Sequence, residues 1–338
     1  MILEKIKNGL NHHYWPKNTA GRTMISKDFV PVVEYQKIIR DITLEIKEKI
    51  QEWEMLNYLY VIDESGKLIG VASIKEIFRQ SPEIKISQVM KKKIISVQPE
   101  LDQEKVAYLA LKNNIKAIPV VDKDNHLLGI VSSDRILSIL NKEATEDIYH
   151  MAGIFRPEFR IGNILEIPVF KSLKSRIPWL LVGLVGGIIA AWIIGFFEAY
   201  LKENLILALF IPIIIYMTNA VGMQTQTLFI RDLTIQHDIL FKKYFLRQLI
   251  ICFLISIVLS LGFFLIVLFG WASAYLGLVL AISMLVTIIA AVFFFALLIP
   301  FLLYKFKSDP ALGSGPFATI IQDILSIIIY FGIAKWLL

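Results

Sequence analysis

The last 161 residues of the chain, from Pro178 to Leu338, contain only six acidic and eight basic residues. Their apolar residues form five long stretches separated by short polar breaks, at approximately 178–200, 205–229, 245–270, 272–303 and 316–338. As helices, all five are long enough to cross about 30 Å of hydrocarbon. In a water-soluble fold they would leave far too much apolar surface exposed. The sequence therefore predicts an all-α membrane domain of five transmembrane helices.

The first 177 residues differ sharply, with 23 acidic and 27 basic residues. Such a segment can fold in water. Its first 30 residues contain no apolar core of the length that a secretory signal needs, so we expect this half in the cytosol. The net charge of +6 fits a membrane protein with basic cytosolic loops. No nucleic-acid partner is expected.

The loops between the apolar stretches predict an orientation in the cell membrane. Basic residues cluster before the first stretch, in the second loop and in the fourth loop, whereas the first and third loops are nearly free of them. Basic loops face the cytosol. Five helices then place the N-terminus inside and the C-terminus outside. The basic residues are Lys171, Lys174 and Arg176, then Arg231, Lys242, Lys243 and Arg247, then Lys305 and Lys307.

The soluble half contains an internal repeat with a period of 59 residues. Three pairs of residues mark it: Val61 and Val120, Asp63 and Asp122, Gly70 and Gly129. Each copy has two short apolar segments around a polar turn, which predicts a β-hairpin. Helices are expected before the hairpins, over 35–56 and 104–113, and after them. A repeat of this kind predicts two copies of one supersecondary unit that share a core.

This α/β repeat resembles a tandem CBS pair, also called a Bateman module, over roughly residues 20 to 145. Residues 118–122 and 128–132 carry the likeness most specifically. In that family an adenine nucleotide, such as ATP or AMP, often lies in the cleft between the repeats. A Ser or Thr follows the second strand there, and an acid lies shortly beyond it.

The resemblance assigns candidate nucleotide-binding residues, which are Ser132 and Asp134 in the second repeat and Ser73 in the first. Arg135 stands where the ribose-binding acid is usually found, and Asp134 is one residue early. The first repeat has Glu76 at the corresponding position. A dimerisation module with an empty cleft is the alternative, because a fold does not determine its ligand.

Asp323 is the only acid well inside any of the five apolar stretches. An acid within a membrane helix costs several kcal/mol and therefore usually faces a partner, water or an ion path. No Lys or Arg lies at comparable depth in any stretch, so an ion path is favoured over an internal ion pair. If two copies placed this helix on a shared axis, their carboxylates would suit Mg²⁺, which keeps several waters and uses one or two carboxylates.

Polar side chains around Asp323 extend this interpretation. Thr319, Gln322 and Ser326 lie on the same stretch, and Asn219, Gln224 and Thr225 lie on the second one. Just before the last stretch, Gly and Pro are dense in residues 308–317, which predicts a break in the helix. Irregular backbone at membrane depth is tolerated where it lines a cavity. An ordinary cytosolic turn would explain the same residues.

Taken together, these motifs are similar to those of the MgtE family of magnesium transporters, over about residues 20 to 338. The segment before and within the last stretch is the specific part, and residues 176–180, 197–198 and 219–225 with Arg231 match as well. The motif residues are Asp309, Pro310, Ala311, Ser314, Gly315, Pro316, Phe317, Thr319 and Asp323.

The resemblance implies a homodimeric, Mg²⁺-selective channel in the lipid bilayer, with its pore on the dimer axis. Asp323 would be the pore carboxylate that holds a hydrated ion, with Asn219 and Thr319 lining the pore. A connecting helix, about 156–176, would act as a plug that couples the CBS pair to the pore. Positions expected to shape the pore and gate are Asp309, Pro310, Gly315, Pro316 and Glu198.

The expected organisation is a segment 1–20, a CBS pair 21–145 (about 21–85 and 86–145), a plug-like connection 146–176 and a membrane domain 177–338. The acidic N-terminal domain that is usual in the family is expected to be missing. The common Gly-Gly-Asn turn reads Thr218-Asn219-Ala220, and Arg247-Gln248 stands where the family often has a Glu.

Two other functions remain open, and a third class is not expected. The transported ion could be Co²⁺ or Mn²⁺, because oxygen ligands bind several metals. The chain could instead be a membrane-tethered nucleotide sensor without transport. An enzyme is not expected, because the sequence has no Gly-rich phosphate loop with Lys, no metal-spaced His pair and no nucleophile motif. The one cysteine, Cys252, excludes a disulfide within one chain.

One further pattern concerns packing. Gly183, Gly187, Ala191 and Gly195 recur at four-residue spacing in the first apolar stretch. Small residues on one helix face allow a neighbouring helix to approach closely. The pattern is compatible with a homodimer and equally with packing within one chain.

Overall fold

The structure is a computed structural model that describes residues 15–154, 168–235, 240–306 and 308–337. The chain divides into two compact units, Met1–Glu143 and Ala144–Leu338. The first is an α/β unit and the second is helical, as the sequence predicts.

The first unit contains two three-stranded sheets, one for each repeat. In the first sheet, β2 runs parallel to β3 and β3 runs antiparallel to β4; the order in the second sheet is β1-β6-β5, with both pairs antiparallel. The strands are β1 Ile25–Ser26, β2 Val32–Glu34, β3 Tyr58–Ile62, β4 Leu68–Ser73, β5 Ala117–Val121 and β6 Leu127–Ser132. The helices are α1 Ala20–Thr23, α2 Ile39–Lys49, α3 Ile74–Ile77, α4 Ile86–Val89, α5 Gln103–Lys112 and α6 Ser133–Met151, whose residues from Ala144 onward belong to the second unit.

The two hairpins confirm the repeat down to their register. Val61 pairs with Gly70 in one hairpin and Val120 pairs with Gly129 in the other. Local side-chain chemistry closes each turn, since Asp63 Oδ1 accepts from the backbone N–H of Lys67 at 2.9 Å. Asp122 Oδ1 likewise accepts from two backbone N–H groups of its own turn. Asp is favoured in turns for this reason.

The tips of the two hairpins pair with each other. Leu68 donates its N–H to the carbonyl of Asn125 at 2.9 Å, and Asn125 Nδ2 donates to the carbonyl of Leu68 at 2.7 Å. Asn125 adopts a left-handed backbone with φ of 68°, which Asn tolerates better than most residues. The turn chemistry of one repeat therefore also joins it to the other.

The helix expected over 35–56 is shorter in the structure. It covers only Ile39–Lys49 and buries Ile39, Ile42 and Ile46, which lie on one helical face. Residues before it follow the sheet instead, because the N–H of Tyr35 donates to the carbonyl of Ile62 at 3.1 Å. The leading helices of the two repeats are thus of similar length.

The second unit confirms the five-helix prediction. Within the described residues, five helical spans are long and apolar enough to cross a membrane: Val169–Phe196, Leu205–Leu233, Phe241–Trp271, Ala274–Lys305 and Pro310–Leu337. We call them the first to fifth spans. They contain α7 Val169–Lys174, α8 Ile177–Phe196, α10 Ile211–Ile235, α11 Phe241–Trp271, α12 Ala274–Ala291, α13 Ile299–Lys305 and α14 Pro316–Leu337, and α9 Glu198–Glu203 follows the first span. Leu205–Phe210 and Pro310–Ser314 are 3₁₀ turns.

The first span approaches the fifth at Gly186, which is not one of the glycines of the four-residue pattern. A Cβ on Gly186 would lie 2.8 Å from Cγ1 of Ile320. Cβ atoms on Gly183, Gly187 or Gly195 would meet no atom of the described chain within 4 Å. Packing within the chain therefore uses the face that carries Gly186, and the four-residue stripe is left without a neighbour among the described residues.

A π-helical segment, Val292–Leu298, interrupts the fourth span. The N–H of Ile299 donates to the carbonyl of Phe294, one residue further back than in an α-helix. In the same pattern, the N–H of residue 300 would donate to the carbonyl of Phe295, but residue 300 is a proline and has no N–H. The carbonyl of Phe295 is thus left without a backbone donor, and π segments of this kind are frequent at functional sites.

Candidate functional site

Asp323 lies on the fifth span and is half-buried between the helices of the second unit. Asn219 Nδ2, from the second span, donates to Asp323 Oδ1 at 2.7 Å. Among the ion pairs of the described residues, none involves Asp323. The hydrogen-bond partner of Asp323 is therefore an uncharged amide, which orients the carboxyl group without adding a countercharge.

The other end of the Asn219 amide has no hydrogen-bond partner among the described residues. Its Oδ1 atom is buried, while Nδ2 is engaged by Asp323. A carboxylate only accepts hydrogen bonds, so the amide nitrogen must face Asp323 and the oxygen must point away. A buried acceptor without a donor costs about 1–3 kcal/mol. The pair thus offers acceptor atoms to a donor or a cation.

A layer of hydrogen bonds surrounds this pair. Gln322 Nε2 donates to the carbonyl of Thr218 at 2.9 Å, and Thr218 Oγ1 donates to Thr287 Oγ1 at 3.2 Å. These bonds join the second, fourth and fifth spans. A Cβ on Gly222 would lie 2.7 Å from Gln322 Nε2, so a larger residue would push against the layer.

Of the polar residues expected near Asp323, several are engaged elsewhere. Gln322 and Ser326 are buried, and Ser326 Oγ donates to the carbonyl of Gln322 at 2.8 Å. Thr225 is also buried, with its Oγ1 donating to the carbonyl of Val221 and lying 3.2 Å from Cys252 Sγ. Thr319 lies one helical turn before Asp323 and therefore on the same face of the fifth span.

The Gly- and Pro-rich segment before the fifth helix is a capped 3₁₀ turn. Asp309 Oδ1 accepts from the N–H of Ala311 at 2.8 Å, and Pro310 begins the turn, where its missing N–H costs nothing. Pro316 begins the helix that carries Asp323. A Cβ on Gly315 would lie 3.3 Å from the carbonyl oxygen of His150.

His150 is held against this turn. Its Nδ1 lies 2.9 Å from Asp309 Oδ2, and its Nε2 lies 3.9 Å from Glu146 Oε1. The hydrogen bond with Asp309 is the main cause that raises the pKa of His150, with burial acting in the opposite direction. Sequence reasoning singled out Asp309 but did not predict this contact, because its partner His150 lies 159 residues away in the sequence.

Gln226, on the second span, is a second residue that sequence reasoning missed. It is buried, and its Nε2 lies 3.3 Å from the carbonyl of Phe295 and 3.0 Å from the carbonyl of Gly313. Phe295 is the residue whose carbonyl has no backbone donor because of Pro300. Gln226 therefore ties the π segment of the fourth span to the turn that precedes the fifth helix.

Glu198 and the described end of the predicted plug form no hydrogen bond or ion pair with Asp323. Glu198 is exposed and forms an ion pair with Lys202 at 2.7 Å between their side-chain atoms. Most of the predicted plug, residues 156–167, lies outside the described residues. Its described end is the short helix Val169–Lys174, which buries no side chain.

A separate cavity of about 200 Å³ lies in the first unit. Ser73 and Glu76 line it, together with Lys91 and Lys93. Ser73 Oγ accepts from the N–H of Glu76 at 3.2 Å and so caps the short helix that follows. Apolar strand residues and Tyr58 complete the wall.

The structure brings only one of the three predicted nucleotide-binding residues to this cavity. Ser73 lines it, whereas Ser132 and Asp134 do not. Ser132 is buried at the end of β6, and Asp134 is exposed with its Oδ1 3.4 Å from Ser133 Oγ. Glu76 and the two lysines would complete a site for a ligand with hydroxyl and phosphate groups.

Comparison with known proteins gives two family matches. The MgtE family, described as a divalent cation transporter, matches residues 211–333, and the CBS domain matches residues 86–142. The "Magnesium transporter MgtE" of Bacillus subtilis (strain 168) is 35% identical over 324 residues, which cover 95% of this chain and 70% of that protein. The protein of the same name from Enterococcus faecalis is 32% identical, with the same coverage of 95% and 70%.

Solved structures also match part of this chain. The crystal structure of the soluble part of a magnesium transporter is 29% identical, with a TM-score of 0.38, over 39% of this chain and 51% of that chain.

Proposed function

Because the chain belongs to the MgtE family of divalent cation transporters, we propose that it carries Mg²⁺ across the membrane along a path lined by Asp323. The observation that supports this most is the pairing of Asp323 with an amide rather than a base. No cationic side chain of the described residues therefore competes with a passing cation for Asp323. Asn219 Oδ1 next to it has no hydrogen-bond partner among the described residues and would be an acceptor for the waters that Mg²⁺ retains.

The proposed passage moves a hydrated ion. Mg²⁺ loses its water reluctantly, so one carboxylate and nearby oxygens hold the hydration shell rather than replace it. Thr319, one turn before Asp323, would contribute a hydroxyl on the same helix face. The membrane potential drives the ion inward, at about 2.3 kcal/mol per charge for each 100 mV. Nothing in this passage requires a catalytic group, so no enzymatic activity is proposed.

The proposed assembly is a homodimer in the cell membrane, with the passage on its axis. The CBS pair faces the cytosol and gates the passage through the connection 146–176, and the C-terminus lies outside. The basic loops support this orientation. The capped turn at Asp309, Pro310, Gly315 and Pro316 would hold the entrance of the fifth helix.

Flux into proteoliposomes tests the proposal. We expect Asp323→Asn and Asp323→Ala to abolish Mg²⁺ uptake while the protein keeps its thermal stability in detergent. Glu203→Gln is the matched control, because it removes one carboxylate from an exposed position outside the spans and should leave uptake unchanged. Uptake by Asp323→Asn equal to that of the unaltered protein would refute the assignment.

The identity of the ion needs a separate measurement. Co²⁺ and Mn²⁺ accept the same oxygen ligands. Competition of each ion against Mg²⁺ in the same uptake assay distinguishes them. If Mn²⁺ or Co²⁺ inhibited Mg²⁺ uptake at a concentration far below that of the Mg²⁺ present, that ion would be favoured as the transported one.

The cavity of the first unit supports a second proposal, that the CBS pair binds an adenine nucleotide such as ATP or AMP. Ser73 and Glu76 would bind the ribose hydroxyls, and Lys91 and Lys93 would face the phosphates. Equilibrium dialysis with labelled AMP and ATP tests it. Nucleotide binding without any ion uptake would instead favour a membrane-tethered sensor.

A further inference from the structure

The second repeat has its own counterpart of the residues around the cavity. Ser132 corresponds to Ser73 at the 59-residue period, and Arg135 corresponds to Glu76. The segments beside the two second strands also correspond. Val71 pairs with Lys91, and its counterpart Ile130 pairs with Ile25. A second cleft is therefore expected between Arg135 and the chain around Ile25.

Arg135 spans the position where that second cleft is expected. Its Nη1 donates to the carbonyl of Thr23 and, at 2.8 Å, to the carbonyl of Met24. Its Nη2 lies 3.3 Å from Glu54 Oε1. The guanidinium thus contacts three acceptors on two separate segments, 23–24 and the end of the loop that follows α2.

Through these contacts the guanidinium occupies the place that a ligand would take in the second cleft. Its planar fork is suited to several acceptors at once. The Glu54 carboxylate compensates its charge. A nucleotide that entered the second cleft would have to displace it, which would leave the carbonyls of Thr23 and Met24 without a donor and the carboxylate of Glu54 without its partner.

Arg135 also has the opposite hydrogen-bonding capacity to Glu76, its counterpart in the first repeat. Glu76 in the first cleft offers acceptor oxygens to ribose hydroxyls, whereas Arg135 offers only donors. We infer that Arg135 is a built-in occupant of the second cleft and restricts the CBS pair to one nucleotide per chain, in the cleft lined by Ser73 and Glu76. This inference rests on the proposed nucleotide binding of the first cleft.

The stoichiometry of nucleotide binding tests it. The full chain in detergent is dialysed against labelled AMP. We expect one AMP per chain for the unaltered protein and two for Arg135→Ala. Glu76→Arg, which copies the second cleft into the first, should reduce binding to zero, and the double variant Glu76→Arg with Arg135→Ala should restore one. Arg79→Ala, at an exposed position, is the control and should still bind one.

The outcomes separate the two proposals. If the unaltered chain binds two AMP molecules, the role of Arg135 is overturned. The same holds if the unaltered chain and Arg135→Ala each bind one. No AMP on the unaltered chain but one on Arg135→Ala would overturn nucleotide binding in the first cleft and support the occupied second cleft. No AMP on either would overturn both. If Arg135→Ala does not fold, Arg135→Met keeps the apolar stem and carries the same expectations.

Discussion

Asn219 and Asp323, 104 residues apart in the sequence, meet through a hydrogen bond of 2.7 Å from Nδ2 to Oδ1. The amide belongs to the second span and the carboxylate to the fifth. The bond therefore fixes the orientation of the one acid well inside the apolar stretches of the second unit, which we call the membrane unit. One oxygen of the carboxylate is engaged, and the amide oxygen has no hydrogen-bond partner in the described part of the chain. The proposed ion path depends on this arrangement.

Removal of the amide by Asn219→Ala should reduce Mg²⁺ uptake about tenfold without abolishing it. A hydrogen bond to a charged group contributes about 1.5–3 kcal/mol, and its loss would let the carboxylate turn away from the path. Uptake into proteoliposomes measures the effect. Asn204→Ala, outside the helices that hold Asp323, is the matched control. Equal uptake by the two variants would show that Asn219 does not orient Asp323.

Replacement of Gln226 by Leu should destabilise the membrane unit by about 2–4 kcal/mol, because the carbonyls of Phe295 and Gly313 would lose their shared donor. Thermal unfolding in detergent measures the change. Gln224→Leu makes the same substitution at an exposed position two residues away and should change stability by less than about 0.5 kcal/mol. A similar loss in both variants would contradict the role given to Gln226.

The contact of His150 with Asp309 should make stability depend on pH. The hydrogen bond to Asp309 raises the pKa of His150, so the stabilisation is complete below the unfolded value of about 6.5 and is lost as pH rises through the folded value. Asp309→Asn should therefore cost about 1–2 kcal/mol near pH 6 and less at pH 8.5.

Thermal unfolding of both proteins across this range tests the sign of the effect. Asp41→Asn, which neutralises an exposed carboxylate on α2, should show a small difference that does not change with pH. A cost of Asp309→Asn that grows as pH rises would contradict the account.

Substitution of Gly186 by Ala should destabilise the membrane unit by about 1–3 kcal/mol, since the new methyl group would overlap Ile320 on the fifth span. Gly183→Ala adds the same methyl group to the same helix where no described atom lies within 4 Å. It should be neutral or slightly stabilising. Unfolding of the two variants in detergent compares them directly, and a larger loss for Gly183→Ala would reverse this assignment of packing faces.

The sequence was sufficient where structure follows from local chemistry. The two hairpins could be predicted because Asp63 and Asp122 close their turns with their own side chains. The five spans followed from length and apolar composition, and Asp323 stood out because it is charged in an apolar stretch. The helix over 35–56 was predicted too long at its start, because β2 and the N–H of Tyr35 pair with the sheet and the helix begins only at Ile39.

The partners of these residues could not be predicted in the same way. Contacts such as Asn219 with Asp323 and His150 with Asp309 depend on the packing of distant segments. Pro300 did carry a usable signal, because a proline within a helix leaves a carbonyl of the preceding turn without a donor. That signal does not identify Gln226 as the side chain that supplies the donor.

The π segment also affects how the sequence of the fourth span aligns with related sequences. A π turn takes one more residue than an α turn, so it acts as a single-residue insertion and rotates the following helix by about 100°. Deletion of one residue within 292–298 would therefore turn the face presented by Ile299–Lys305 and carry it away from the 3₁₀ turn Pro310–Ser314. In related sequences, a one-residue gap here should accompany the loss of a glutamine at position 226.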